Sequence, residues 1–230
     1  MGTAEPVCDG VYLVGGAGIS HMQDAMAFVI VCGDELVMID SGAGRGARAL
    51  EANVRSIPGG PRKMSYLILT HCHVDHIGSA RYLRETFGCT VVAHDLDADA
   101  IESGDPVKTA ASWYNTTLPE TPVDRRIHGE HEVILAGGRE IHCIHTPGHT
   151  PGSMSVYLDI EGTRVLFGQD IHGPFSEAFN SDIGQWRQSM ARLMELDADI
   201  LCEGHFGIFT GKERVRDYIM RYLDQYAQEY

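Results

Sequence analysis

The chain has 230 residues, 43% of them hydrophobic and 22% charged, with a formal net charge of −14 and an unusually high count of 12 histidines. That is long enough for one sizeable core and too apolar for a disordered chain. The acidic balance argues against nucleic acid and anionic lipid as partners, since both need a basic surface, and no stretch reaches the roughly 20 apolar residues of a membrane span.

The start, Met1 to Pro6, has neither the basic nor the apolar region of a signal peptide, so a cytoplasmic location is expected. The six cysteines lie scattered at 8, 32, 72, 89, 143 and 202, several inside apolar runs. Reduced, mostly buried thiols are expected rather than disulfides. There is no C-x-x-C pair, so a thiolate zinc knot is not expected.

In chain order, Val11–Val14, Ala27–Cys32 and Glu35–Asp40 read as strands, the last two joined by a Gly33-Asp34 hairpin turn. A helix is predicted over about Ala47–Ser56 and ends at the Pro58–Pro61 turn. The apolar run from Tyr66 to Thr70 suits a strand buried on both faces. One helix is predicted from about Ile77 to Phe87, then a strand at Thr90–Ala93 and a short helix at Asp95–Glu102 capped by an Asp.

Residues 103–130, with Pro106, Pro119 and Pro122, read as an irregular excursion. Strands follow at Glu132–Leu135, Glu140–His145, Ser153–Leu158 and Arg164–Phe167, then a helix at about Ile183–Glu195, a short strand at Ile200–Cys202 and a last helix at about Lys212–Ala227. Strands in series followed by strand–helix alternation occur twice. The expected fold is therefore α/β, two packed sheets with helices outside, in one domain over residues 1–230.

The strongest chemical signal is His71-Cys72-His73-Val74-Asp75-His76, which begins where the buried strand ends. Four potential ligands in six residues do not fit ordinary core histidines. Imidazole with carboxylate suits zinc, and also iron or manganese. His149, Asp170 and His205 each sit just past a predicted strand, beside glycines that let the backbone pass close to a metal. Cys72 is expected to pack as a small thiol. His21, His94, His128, His131, His142 and His145 are expected to be partly buried rings with local hydrogen bonds. His172, two residues past Asp170, is a candidate proton donor at the rim, with a structural ring as the alternative.

Asp40, H-x-H-x-D-H at 71–76, His149, Asp170 and His205, in that order, resemble the metallo-β-lactamase fold superfamily from about residue 10 to 210. The resemblance implies an αββα four-layer sandwich of two mixed sheets. It implies two divalent metal ions, zinc first, with iron or manganese as alternatives. His71, His73 and His149 would hold one ion, Asp75, His76 and His205 the other, with Asp170 bridging. Asp40 would support the ligands by hydrogen bonds. A bridging water would supply hydroxide near neutral pH, and Asp75 would hold or receive its proton.

Three segments are placed to set the substrate: residues 15–24, residues 103–130 with Trp113 and Tyr114, and residues 172–182 with Pro174, Phe175 and Phe179. Trp113, Tyr114 and Phe175 are the candidate pocket residues, anchoring of their own loop onto the core being the commoner outcome for Trp113 and Tyr114. Lys108, Arg125 and Arg126 could meet an anionic tail such as glutathione or coenzyme A, a solvated basic patch being the commoner outcome. The ligand set resembles that of glyoxalase II, but only 25 residues follow His205, too few for that branch's glutathione-binding region. β-Lactamases proper generally lack an Asp at the position of Asp170.

The expected function is a binuclear metal hydrolase of a small ester-like substrate, a thioester or lactone. The alternatives are a mononuclear iron persulfide dioxygenase and a non-hydrolytic redox or sensor module. A small-molecule substrate is expected, on a monomer or homodimer.

Overall fold

The structure, a computed structural model, describes residues 3–227. Among these, the strands form two sheets. The first runs in chain order through β1 (Glu5–Cys8), β2 (Val11–Gly15), β3 (Ala27–Cys32), β4 (Glu35–Ile39), β5 (Lys63–Ile68), β6 (Thr90–His94) and β7 (Arg125–Ile127). Its first four strands pair antiparallel and its last four run parallel. The second holds β8 (His131–Ala136), β9 (Arg139–His145), β10 (Met154–Ile160), β11 (Thr163–Gly168), β12 (Ile200–Glu203) and β13 (Ile208–Thr210), also in order. It is antiparallel except for β11 beside β12.

Parallel neighbours need crossovers, and these carry every helix but the last. Helices α1 (Ala47–Arg55), α2 (Val74–Ile77), α3 (Ala80–Phe87) and α4 (Asp95–Ser103) lie in the first half of the chain. Helices α5 (Ile183–Glu195) and α6 (Lys212–Ala227) lie in the second. None is long and apolar enough to cross a membrane.

Alternation along each strand explains the layers. In β3, Phe28, Ile30 and Cys32 point into the space between the sheets, while Ala27 and Val29 face the helical layer. Both faces are covered, so the strand is apolar without interruption. Phe28 meets Phe167 of β11 across the middle, ring centroids 5.4 Å apart. Leu50 and Val54 of α1 and Leu83 of α3 close one outer face. Trp186, Met190 and Leu193 of α5, with Val215 and Ile219 of α6, close the other. The result is the expected four-layer αββα sandwich. The six cysteines are unpaired and five of them are buried.

Four local expectations are corrected. The helix expected over 77–87 is two, α2 and α3, broken at Gly78. A β-carbon on Gly78 would lie 2.2 Å from the carbonyl carbon of Ala43, so the loop after β4 and the turn after β5 touch here and only glycine fits. The residues 103–130 are not wholly irregular, because β7 joins β6 through Val92, Ala93 and His94. The cap of α4 is His94, whose Nδ1 accepts from the Leu96 amide at 3.3 Å, with Asp95 inside the first turn. Finally, β1 and β13 add unpredicted strands at the outer edge of each sheet.

Strands β4, β5 and β6 of one sheet and β9, β11 and β12 of the other end at the same rim of the sandwich. The turns that follow them carry every metal-ligand candidate.

Candidate metal centre

The turn after β5 presents three imidazoles and a carboxylate, because the chain leaves the strand as a short loop and enters α2 at Val74. Asp75 and His76, in the first turn of that helix, share a side with His205. His71 and His73 meet His149, delivered from the second sheet by the turn after β9. His73 Nδ1 lies 3.1 Å from His71 Nε2 and 2.8 Å from His149 Nε2. Asp75 Oδ2 lies 3.3 Å from His205 Nε2 and 3.8 Å from His76 Nε2.

Asp170 stands between the two groups. One of its oxygens is 3.4 Å from His149 Nε2 and 3.7 Å from His71 Nε2. The other is 3.1 Å from His205 Nε2 and 3.2 Å from His76 Nε2. The Asp170 backbone is left-handed, φ 52°, which turns its side chain from the strand direction toward this point. Next to it, Gly204 leaves the space open: a β-carbon there would lie 2.8 Å from Asp170 Oδ1 and 3.1 Å from His76 Cε1.

The far sides of three of the rings are anchored. His149 Nδ1 donates to the Pro174 carbonyl at 2.7 Å, and His76 Nδ1 to Asp40 Oδ2 at 2.7 Å. The Thr70 hydroxyl donates to Asp40 Oδ2 at 2.8 Å, so its oxygen is free to accept from His71 Nδ1 at 3.2 Å. These bonds place the ring protons on the outside and turn bare lone pairs inward. Asp40 thus serves one histidine of each group. It is fully buried, at φ 57°, and also accepts the Thr70 amide at 2.8 Å.

The electrostatics call for cations. Burial alone would push the His76 imidazole down, but Asp170, Asp75 and Asp40 hold it well above its ordinary range. Burial and the neighbouring imidazoles keep His71 and His73 well below theirs, hence neutral with lone pairs available. Burial would raise the Asp170 carboxyl, yet His76 and His205 hold it well below the carboxylate range. His76 Nε2 and Asp170 Oδ1 are buried and make no hydrogen bond. Unpaired buried polar atoms of this kind are costly unless something else pairs with them. The residues fit divalent metal: His71, His73 and His149 form one donor group, Asp75, His76 and His205 another, and Asp170 is directed at both.

A third grouping, Asp170, His172 and Glu203, adjoins the second set. Glu203 is fully buried at the end of β12. Its Oε1 accepts His172 Nδ1 at 2.6 Å, and its Oε2 accepts the amides of His205 and Phe206 at 2.7 and 2.8 Å. Its acceptors are already used, so it is an anchor for His172 and for the His205 turn.

A cavity of about 300 Å³ opens over the donors. Trp113, Tyr114 and His172 line it, as do Pro174 and Phe179. Phe175 does not: it packs between Trp186 and Tyr226, and Phe179 takes the place expected of it, 4.3 Å from the His73 ring. Trp113 is 61% exposed and rests on Phe179, so it faces the cavity mouth rather than anchoring its loop in the core. The basic residues proposed for an anionic tail are engaged elsewhere or stand back. Arg125 pairs with Glu132, Arg126 with Asp95, Asp99 and Glu102, and Lys108 does not line the cavity. From residues 15–24, Met22, Gln23 and Asp24 line an adjoining hollow with His205.

Cys72 is buried against the Lys108 carbonyl, as expected of a packed thiol. His145 donates to the Pro151 carbonyl, and His142 stacks on Tyr157. Sequence reasoning missed Glu203, Asp97 and Phe206. Phe206 was open to it, as an aromatic residue directly after a ligand.

Comparison with known proteins agrees with this architecture. Residues 24–205 match the metallo-beta-lactamase superfamily. The probable metallo-hydrolase YybB of Bacillus subtilis is 28% identical over 84% of this chain and 86% of its own. The acyl-coenzyme A thioesterase MBLAC2 of Gallus gallus is 30% identical over 80% of this chain and 73% of its own. In structure, a metallo-beta-lactamase of Cronobacter sakazakii superposes with a TM-score of 0.83 at 19% identity, covering 99% of this chain and 93% of its own. With the donor turns converging as they do and the family's matched segment running from Asp24 to His205, the chain belongs to the metallo-beta-lactamase superfamily of metallo-hydrolases.

Proposed function

We propose that the protein is a binuclear metal-dependent hydrolase of a small ester-like substrate, a thioester or lactone. The observation that carries this reading is the pair of three-residue donor groups with the Asp170 carboxylate directed at both. When bound, two divalent cations, zinc first on this nitrogen-and-oxygen donor set, supply Lewis acidity and hydroxide near neutral pH.

The residues do the rest. Hydrolysis adds a hydroxyl group to the acyl carbon, breaks its bond to the leaving oxygen or sulfur, and returns a proton to that leaving atom. Asp75 lines the cavity beside His205 and receives the proton of the attacking water. His172 also lines it. With Nδ1 held on Glu203, its other ring nitrogen is free to give a proton to the leaving atom. Tyr114, whose hydroxyl is raised by burial and by neighbouring Asp75, stays a neutral donor at the cavity wall. The unpaired thiols suit a reducing compartment such as the cytoplasm.

The test is metal content and turnover on one purified sample. About two zinc per chain with ester, thioester or lactone turnover is expected. One iron per chain with oxygen uptake on glutathione persulfide would overturn the reading, and bound metal without turnover across the panel would overturn hydrolysis.

A further inference from the structure

The walls of the cavity are chemically one-sided. Apart from the metal-ligand candidates and His172, they consist of Ala110, Trp113, Tyr114, Pro174, Phe179 and Phe206. No Lys or Arg is among them. Trp113 packs on Phe179 at 4.7 Å, forming an aromatic wall on the side of His73. Phe206 stands edge-on to His172 at 4.7 Å, forming a second wall on the side of His205. Trp113 is 61% and Phe206 57% exposed. Two large rings left in water on opposite sides of one cavity mark a place where apolar surface is buried by something that enters.

The adjoining surface is alike in lacking a cationic side chain. Asp24 lines the hollow of about 280 Å³ that joins the cavity across Tyr114 and His205, its carboxylate held by the Ser20 hydroxyl and the Ala43 amide. The rest of that hollow is Ala17, Met22, Gln23, Met26 and Gly204, again without a cation. Neither lining offers a guanidinium or ammonium to pair with an anionic leaving group.

We infer that the site selects acyl substrates with an uncharged leaving group and an aliphatic chain, the chain lying between Trp113 and Phe206. It works against anionic thioesters of the coenzyme A or glutathione kind. The inference rests on the hydrolase reading and narrows it. The reaction balances as one water per acyl bond: the hydroxyl joins the acyl carbon, the leaving oxygen or sulfur takes a proton, and the acid released ionises.

The experiment uses the zinc-loaded protein and three arms. The first is a series of p-nitrophenyl esters from two to eight acyl carbons, and the second the matching γ-lactones. The third is a pair of thioesters with one acyl chain, on coenzyme A or on uncharged N-acetylcysteamine. kcat/KM is expected to rise up to about fourfold per added methylene until the cavity is filled. The N-acetylcysteamine thioester is expected to outpace its coenzyme A counterpart. The comparison of esters with lactones tells an open from a closed ring. Trp113→Ala should lower the ratio of eight-carbon to two-carbon rates about tenfold, and Trp113→Phe should recover part of it. Turnover that is flat with chain length, or faster on coenzyme A, overturns this inference and leaves the hydrolase reading standing. No turnover on any arm overturns both.

Discussion

Replacing Asp40 with Asn tests whether the metal centre depends on proton placement behind its ligands. Asp40 accepts three hydrogen bonds: from the Thr70 amide at 2.8 Å, the Thr70 hydroxyl at 2.8 Å and His76 Nδ1 at 2.7 Å. An asparagine keeps one oxygen. If that oxygen stays on the Thr70 amide, an NH2 group faces the hydroxyl and the ring. The hydroxyl can rotate and accept; His76 Nδ1 cannot while it carries its proton. The ring must move that proton to Nε2, the atom 3.2 Å from Asp170 Oδ1 that the second metal would use. Loss of one buried, charge-assisted bond costs about 1.5–3 kcal/mol of metal-free stability. Losing a partner behind a ligand costs about 10–100-fold in metal affinity, or about 1.4–2.7 kcal/mol. Zinc titration against a competing chromophoric chelator should show one tight site kept and one weakened by that factor. Two sites of unchanged affinity in Asp40→Asn would refute the reasoning.

Three more outcomes are expected. Gly204→Ala puts a methyl 2.8 Å from Asp170 Oδ1 and 2.6 Å from Gln169 Oε1, so zinc content measured after dialysis should fall from about two to about one per chain. Glu203→Gln takes the anion from His172 while leaving it a neutral partner. kcat should drop about tenfold with KM little changed. The third concerns His94, which burial and then His145 push down to about 4. The folded ring refuses a proton that the unfolded ring takes below about 6.5. This share of stability is therefore complete above pH 6.5 and is lost as pH falls toward 4, by up to about 3 kcal/mol. Denaturant unfolding from pH 7 to pH 4 should show the loss, and His94→Asn, which keeps a capping side chain, should flatten it.

What the sequence made legible was local or repetitive. Helices α5 and α6 were readable to the residue, because each shows an apolar stripe bounded by polar ends. Strand β3 was readable because it is apolar on both faces. The donor turns were readable because their residue types are rare together. The edge strands were not. Arg125-Arg126-Ile127 has one apolar residue in three and becomes a strand only through pairing with β6. β1 carries a proline and lies at the sheet edge. The anchors were hidden for a related reason. Glu203 meets a ring 31 positions away, and Asp97 meets groups 25 to 55 positions away. Nothing in the residues around either acid signals such partners. Phe175 and Phe179 look alike in sequence, and packing on Trp186 decides which of them turns inward.

Asp97 shows why the centre can exist on the sandwich at all. The metal-ligand candidates come from both sheets, so the two rims must be held in register before any cation binds. Asp97 Oδ2 accepts the Cys72 amide at 3.0 Å, between His71 and His73, and the Thr150 hydroxyl at 2.7 Å, next to His149. Its Oδ1 accepts the Gly152 amide at 2.8 Å. One carboxylate, itself 2% exposed, thus ties the turn after β5 to the turn after β9. Asp40 works within the first sheet, where it sets which nitrogen of His76 carries the proton; Asp97 works between the sheets. Their losses should therefore differ in kind. An Asp40→Asn variant loses the affinity of one site and the stability of a single buried hydrogen bond. An Asp97→Ala variant leaves two buried amides, of Cys72 and Gly152, without an acceptor, at about 1–3 kcal/mol each, and should lose thermal stability even with chelator present. Equal melting temperatures for the two metal-free variants would contradict this division of labour.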